Sequence, residues 1–280
     1  MKITILGSGG GEGYPALFCS CDHCETARRV GGKSMRTLHQ TLINDDLLID
    51  LPSDTARHFH TIGRSLGDIP NILVTHVHSD HFQPYWFNYR GSVYAHNMKY
   101  DRVGLYGSSD VLRIFDKCTE AYPIGHAVRE TIDIVELTPF VSATIGRYKV
   151  TPLPAKHAKN LKPYNYIIEE GGKTLVYLHD TGYPNDEVLA FLTENYKGVD
   201  AVMLDATMGV MECSDEAGHM SFWQDKRLAV DLCERGIADS HTQFVANHIT
   251  HNQAETHETI EEIFRDTDIK VAYDGMILEL

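Results

Sequence analysis

The sequence predicts an α/β fold: two sheets with helices on their outer faces, in one domain over residues 1–280. Three observations predict it. Short β-branched or apolar runs alternate along the chain with longer stretches of helical pattern. The 280 residues can bury a large core, and 42% hydrophobic with 23% charged residues is ordinary for a globular protein. Several of the apolar runs end in His or Asp, in a chain that carries 16 His.

In order, residues 2–6 alternate and predict a first strand, followed by the glycine run Gly7-Ser8-Gly9-Gly10-Gly11-Glu12-Gly13. That run lacks the Lys-Ser/Thr of a phosphate loop, so it predicts a loop whose backbone passes close to other groups. Arg28, Arg29, Lys33 and Arg36 form a basic segment, expected as a solvated face. Residues 40–51 predict a hairpin around Asn44-Asp45-Asp46, and Asp50 at its end is a candidate partner for a ligating His. Residues 53–66 predict a helix with Ser53 and Asp54 as caps, and residues 72–75 a buried strand. Tyr85, Trp86, Phe87 and Tyr89 fit either a substrate pocket over the site or plain packing. Further strands are expected at 92–96, 131–138, 147–153, 164–169, 174–179, 199–205, 243–247, 269–273 and 276–279. Helices are expected at 109–118, 185–197, 222–235 with Ser221 as N-cap, and 253–265.

The chemistry concentrates after the strand at 72–75, in Thr75-His76-Val77-His78-Ser79-Asp80-His81. Three imidazoles and a carboxylate within six residues suit borderline divalent ions such as Zn²⁺ or Mn²⁺. Beyond the strand end the chain can curl, so Asp80 and His81 can face a second ion beside the first. Other strand ends supply His157, then Asp180, whose two oxygens could bridge two cations, then His248. His219 lies just before a predicted helix start, where anions bind.

A second cluster, Cys19-Ser20-Cys21-Asp22-His23-Cys24, reads as a metal site, because soft thiolates favour Zn²⁺. It supplies three ligands. His23 is the local candidate for the fourth and His251 the remote one, with His248 going to the other centre. Cys213 and Cys233 read as unligated.

The formal net charge of −14 repels long polyanions, so an extended nucleic-acid partner is not expected. No apolar run approaches a membrane span, and Met1–Gly7 is too short a run for a secretion signal. The expected address is the cytoplasm.

The HxHxDH stretch, with His157, Asp180 and His248 following in order, resembles the metallo-β-lactamase superfamily. The resemblance runs from residue 3 past residue 251, though residues 82–150 carry no matching motif. It implies an αββα sandwich of two mixed sheets and a dinuclear site. His76, His78 and His157 would hold one ion, Asp80, His81 and His248 the other, and Asp180 would bridge. Cys19, Cys21, Cys24 and His251 look like the structural zinc site of the PhnP-type phosphodiesterases, and the glycine loop with Tyr14-Pro15 is also similar. That likeness implies hydrolysis of small cyclic phosphodiesters, ribosyl 1,2-cyclic or nucleoside 2′,3′-cyclic phosphates, by a homodimer. Asp80 and His219 would be catalytic. The PqqB proteins share the Cys cluster, but their metal set is typically incomplete, whereas this one is full. A PqqB-like accessory role, tRNA 3′-end cleavage and lactone or thioester hydrolysis are the alternatives; the second would want a basic arm that a net charge of −14 disfavours.

Overall fold

The computed structural model describes residues 1–121, 126–252 and 256–280. Its strands are β1 (Lys2–Gly7), β2 (Gln40–Ile43), β3 (Leu47–Ile49), β4 (Asn71–Leu73), β5 (Val103–Gly107), β6 (Ile132–Glu136) and β7 (Ala143–Ile145). They continue with β8 (Tyr148–Pro154), β9 (Tyr164–Glu170), β10 (Lys173–Tyr177), β11 (Ala201–Asp205), β12 (Gln243–Asn247), β13 (Ile269–Val271) and β14 (Ile277–Glu279). The helices are α1 (Asp22–Val30), α2 (Thr55–Thr61), α3 (Ser109–Ala121), α4 (His126–Arg129), α5 (Asp186–Asn195), α6 (Phe222–Glu234) and α7 (His257–Ile263).

The strands form two seven-stranded sheets, ordered β14-β1-β2-β3-β4-β5-β6 and β13-β12-β11-β10-β9-β8-β7. Both are mixed. In the first, the pairs from β14 to β3 are antiparallel and those from β3 to β6 parallel. The second repeats this scheme, antiparallel from β7 to β10 and parallel from β10 to β13.

Alternation along the strands builds the layers. Leu47 and Ile49 face the space between the sheets, where they meet Tyr166, Leu175 and Met203 from the other sheet. Leu48 points the opposite way, to Phe59 of α2 and Phe115 of α3. On the second sheet Val202 and Leu204 pack outward against Leu192 of α5, Leu228 of α6 and Ile260 of α7. A residue shift in either strand would exchange these faces, so the register is set by the sandwich itself. Strands β2, β3 and β11 are buried along their whole length, as expected for strands covered on both faces.

Several local expectations need correction. Residues 92–94 form a turn and 95–96 take no regular structure, so there is no strand here; Tyr94 and Ala95 N–H donate back to the Gly91 carbonyl instead of to a neighbouring strand. The helix expected over 53–66 ends at Thr61; a 3₁₀ turn follows at Leu66–Asp68, after Gly63 takes up a left-handed conformation. Asp54 does not cap α2 with its side chain but accepts a hydrogen bond from the Leu38 N–H at 3.0 Å. Of the helix expected over 253–265, residues 253–255 lie outside the described residues, and the helix observed runs from His257 to Ile263 with Thr256 as its N-cap. Arg36 is no part of a solvated face: it is buried, donating to Ser8 Oγ at 3.0 Å and to the Ala272 carbonyl, with His257 Nδ1 3.0 Å away. Ser221 caps α6 as expected, in a reciprocal pair with Gln224.

Candidate metal centre

Strands β3, β4, β8, β10, β11 and β12 end at one rim of the sandwich, β8 running in the same direction as β10, and the predicted ligands leave from those ends. His76 Nε2 lies 2.9 Å from His78 Nδ1, and His157 Nε2 lies 3.0 Å from the same atom. Asp180 Oδ2 is 3.2 Å from His76 Nε2 and 3.0 Å from His81 Nε2. His81 Nε2 is also 3.1 Å from Asp80 Oδ2 and 3.3 Å from His248 Nε2. Asp180 is shared by His76, His78 and His157 on one side and by Asp80, His81 and His248 on the other, and a third group, Asp205 and His219 with His248, overlaps the second.

Each ring is turned by a partner behind it. Asp50 Oδ2 accepts from His81 Nδ1–H at 2.7 Å, and Asp50 also takes hydrogen bonds from Thr75 N and Oγ1. The Gly218 carbonyl accepts from His157 Nδ1–H at 3.2 Å. Thr207 Oγ1 donates to the His248 carbonyl at 3.2 Å and accepts from its Nδ1–H at 2.8 Å. In all three rings the proton is committed away from the cluster, so Nε2 offers a lone pair inward.

These residues fit a divalent metal. Nitrogen lone pairs facing one another at about 3 Å repel unless a cation or proton stands among them. Burial pushes His157 down to about 4 and also lowers His76 and His78, so at neutral pH these rings are unprotonated ligands. Burial likewise opposes charge on His81, but Asp80, Asp180 and Asp50 outweigh it and raise its pKa well above the ordinary value. Three carboxylates around one imidazole call for positive charge there. Asp180 Oδ1 is buried and accepts no hydrogen bond, a costly state for a carboxylate that a metal ion relieves.

The fold accepts backbone strain to make this arrangement. Asp50, Asp180 and His248 all have left-handed φ, 66°, 46° and 60°. Gly182 is required beside them, because a Cβ there would lie 1.9 Å from the Ala217 carbonyl oxygen. That close approach seats the segment Ala217-Gly218-His219 against His157.

His219 stands over the cluster, its ring 4.7 Å from that of His157, with Nδ1 3.2 Å from Asp205 Oδ2. Burial would lower its pKa, but Asp205 and Asp180 raise it to about 9. Asp205 is fully buried at the end of β11, held through Oδ1 by the N–H groups of Thr207 and Met220. The Asp205–His219 pairing was not anticipated. Its signal was a carboxylate ending the otherwise apolar run Ala201–Leu204, since a buried charge at such a point needs a partner.

The thiolate cluster lies beside this centre. His251 Nδ1 is 3.6 Å from Cys21 Sγ and 3.5 Å from Cys24 Sγ, and Cys19 completes the group. Of the two histidines weighed as the fourth donor, His251 is in place and His23 is not. The Cys24 backbone N–H and His251 lower the Cys21 thiol to about 6, whereas burial raises Cys24 to about 12. The glycine loop runs between the two clusters. Gly10 N–H donates to the Ile249 carbonyl, a Cβ on Gly11 would lie 3.3 Å from Asp80 Oδ2, and Glu12 lies 3.4 Å from His251 Nε2. A cleft of about 820 Å³ opens between this loop and α2, with Asp80, Ser79 and Arg57 in its walls. Tyr85, Trp86, Phe87 and Tyr89 do not line that cleft. Among the described residues no helix is long and apolar enough to cross a membrane.

Comparison with known proteins agrees with this architecture. Coenzyme PQQ synthesis protein B of Methylobacterium radiotolerans is 26% identical over 236 residues, covering 74% of this chain and 73% of that protein. A solved diphosphatase of the PhnP family superposes with a TM-score of 0.74 at 23% identity, covering 100% of this chain and 97% of that one. Zinc-bound PqqB from Methylobacterium extorquens superposes with a TM-score of 0.74 at 17% identity over the whole of both chains. Residues 47–249 match the Beta-lactamase superfamily domain, and those residues hold every donor of the centre described above: the chain belongs to the β-lactamase superfamily, in its metallo-β-lactamase fold.

Proposed function

We propose that the protein is a metal-dependent phosphodiesterase acting on small cyclic phosphodiesters, such as ribosyl 1,2-cyclic or nucleoside 2′,3′-cyclic phosphates. The observation that carries this reading is Asp180 Oδ2, 3.2 Å from His76 Nε2 and 3.0 Å from His81 Nε2, with three further donors on each side counting those two rings. Such a set holds two divalent ions, Zn²⁺ or Mn²⁺. When bound, they supply a hydroxide at neutral pH and offset charge on the phosphoryl oxygens.

The chain's own groups do the rest. Asp50, Thr207 and the Gly218 carbonyl hold the rings in the ligating tautomer. Asp205 fixes His219 through Nδ1, which leaves Nε2 to hydrogen-bond a phosphoryl oxygen or protonate the leaving alkoxide. The cleft beside Asp80 admits the organic part of the ester. Cys19, Cys21, Cys24 and His251 hold one structural Zn²⁺ with no open position for substrate. We also propose a homodimer in the cytoplasm.

Turnover of bis-p-nitrophenyl phosphate with added Mn²⁺ or Zn²⁺, followed by a panel of cyclic phosphates, tests the reading. Catalysis lost on chelation and restored by metal is expected. A metal-loaded protein inert toward every diester would leave the accessory reading, which the likeness to coenzyme PQQ synthesis protein B favours.

A further inference from the structure

On the outer face of the first sheet, between α2 and the 3₁₀ turn Pro84–Arg90, lies a cavity of about 490 Å³ that no donor of the metal centre lines. Its walls include Phe59, Ile72, Trp86 and Phe87, and its size falls within the range of small-molecule sites.

The charge of the lining is unusual for this chain. The protein has 39 Asp and Glu against 25 Lys and Arg, yet the cavity is bordered by Arg64, Arg90, His60 and His96 and by no Asp or Glu. Arg64 is engaged with Asp45 at 2.8 Å. Arg90 is not so engaged. Its Nε reaches Thr131 Oγ1 at 3.5 Å and one Nη reaches the carbonyls of Tyr100 and Asp101 at 3.2 Å. Among the described residues no carboxylate forms an ion pair with it. A half-buried guanidinium held by two carbonyls and a hydroxyl, with the Asp101 carboxylate acting on it only from beyond ion-pair distance, retains the capacity to bind an anion.

We propose that this cavity is a second ligand site, taking a small apolar anion: an aromatic or branched body bearing one carboxylate or phosphate, with Arg90 holding the charge and Trp86, Phe59 and Ile72 the body. The site is separate from the metal centre and does not depend on the phosphodiesterase reading.

Titration calorimetry of the metal-loaded protein with 1-naphthoate, 1-naphthyl phosphate and neutral 1-naphthamide tests it. At least one anion is expected to bind tenfold or more tightly than the amide, and which one prefers the site distinguishes carboxylate from phosphate. Arg90→Gln should erase the preference and Arg90→Lys restore part of it. Ala56→Phe, which narrows the cavity from α2, should abolish binding while metal content per chain stays unchanged. Absence of binding by the native protein, equal affinity for the amide, or unchanged binding in Ala56→Phe would each overturn the proposal; the last outcome places the anion at the metal centre instead.

Discussion

Asp50 and Asp180 occupy matching places in the two sheets. Each follows the strand at which antiparallel pairing changes to parallel, β3 in one sheet and β10 in the other, and each has left-handed φ. Their tasks differ: Asp50 turns His81 from behind, while Asp180 faces the donors directly. Asp50→Asn is therefore expected to keep both ions but weaken the one held by His81 about 10–100-fold. Asp180→Asn should lose the pair together. Metal titration with a competing chelator measures the difference.

Asp80 contributes to one side only. Asp80→Ala is expected to bind one ion fewer per chain and to lose diesterase turnover. Full turnover with a single ion would contradict a paired centre, as read by elemental analysis alongside rates.

His219 touches the cluster through Asp205 and Asp180 but completes neither group of ring donors around His76 or His81. His219→Ala should lower kcat roughly 10²–10⁴-fold with metal content unchanged. The loss should be greatest for substrates with poor leaving groups, and a flat dependence on leaving-group pKa would remove His219 from proton transfer.

Cys21→Ser breaks the thiolate cluster without entering the metal centre. The expected variant lacks one zinc, melts several degrees lower and keeps kcat within the same order of magnitude. Thermal melting with metal analysis checks it.

His58 bears on acid stability. It is buried between Thr37 Oγ1 and Gln40 Oε1, each 2.7 Å away, and burial pushes its pKa down to about 4 from an ordinary 6.5. Between those values the unfolded chain takes up a proton that the folded chain refuses. Stability is therefore lost as pH falls from about 6.5 and the loss levels off near pH 4, reaching up to about 3 kcal/mol. In His58→Gln the denaturant midpoint should fall less steeply across that window; parallel curves for the two proteins would refute this.

The sandwich was legible because strands such as Leu47–Ile49 and Ala201–Leu204 are short, apolar and bounded by turn residues. The stretch His76–His81 was legible because four donors sit within six residues, so local spacing alone carries the message. His157, Asp180 and His248 are isolated in sequence, and only their order in the resemblance linked them. The pairing of Asp205 with His219 was missed because a contact across 14 residues depends on how β11 and the loop before α6 are set by packing. Trp86 and Phe87 were weighed as a pocket over the metals or as core. Which side of the sheet they cover is decided by the turn at Pro84–Arg90, for which no periodic signal exists.

His248 and His251 leave one strand end and enter separate clusters, with only Ile249 and Thr250 between them. Ile249 is clamped by Ser8 and Gly10, and Thr250 by the Thr207 carbonyl. The interval thus works as a fixed-length spacer. Adding or deleting a single residue there would swing one imidazole out of its cage while leaving every side chain chemically intact. For this short run the number of residues is the inherited quantity, and a reading-frame-preserving indel would be more damaging than most substitutions within it.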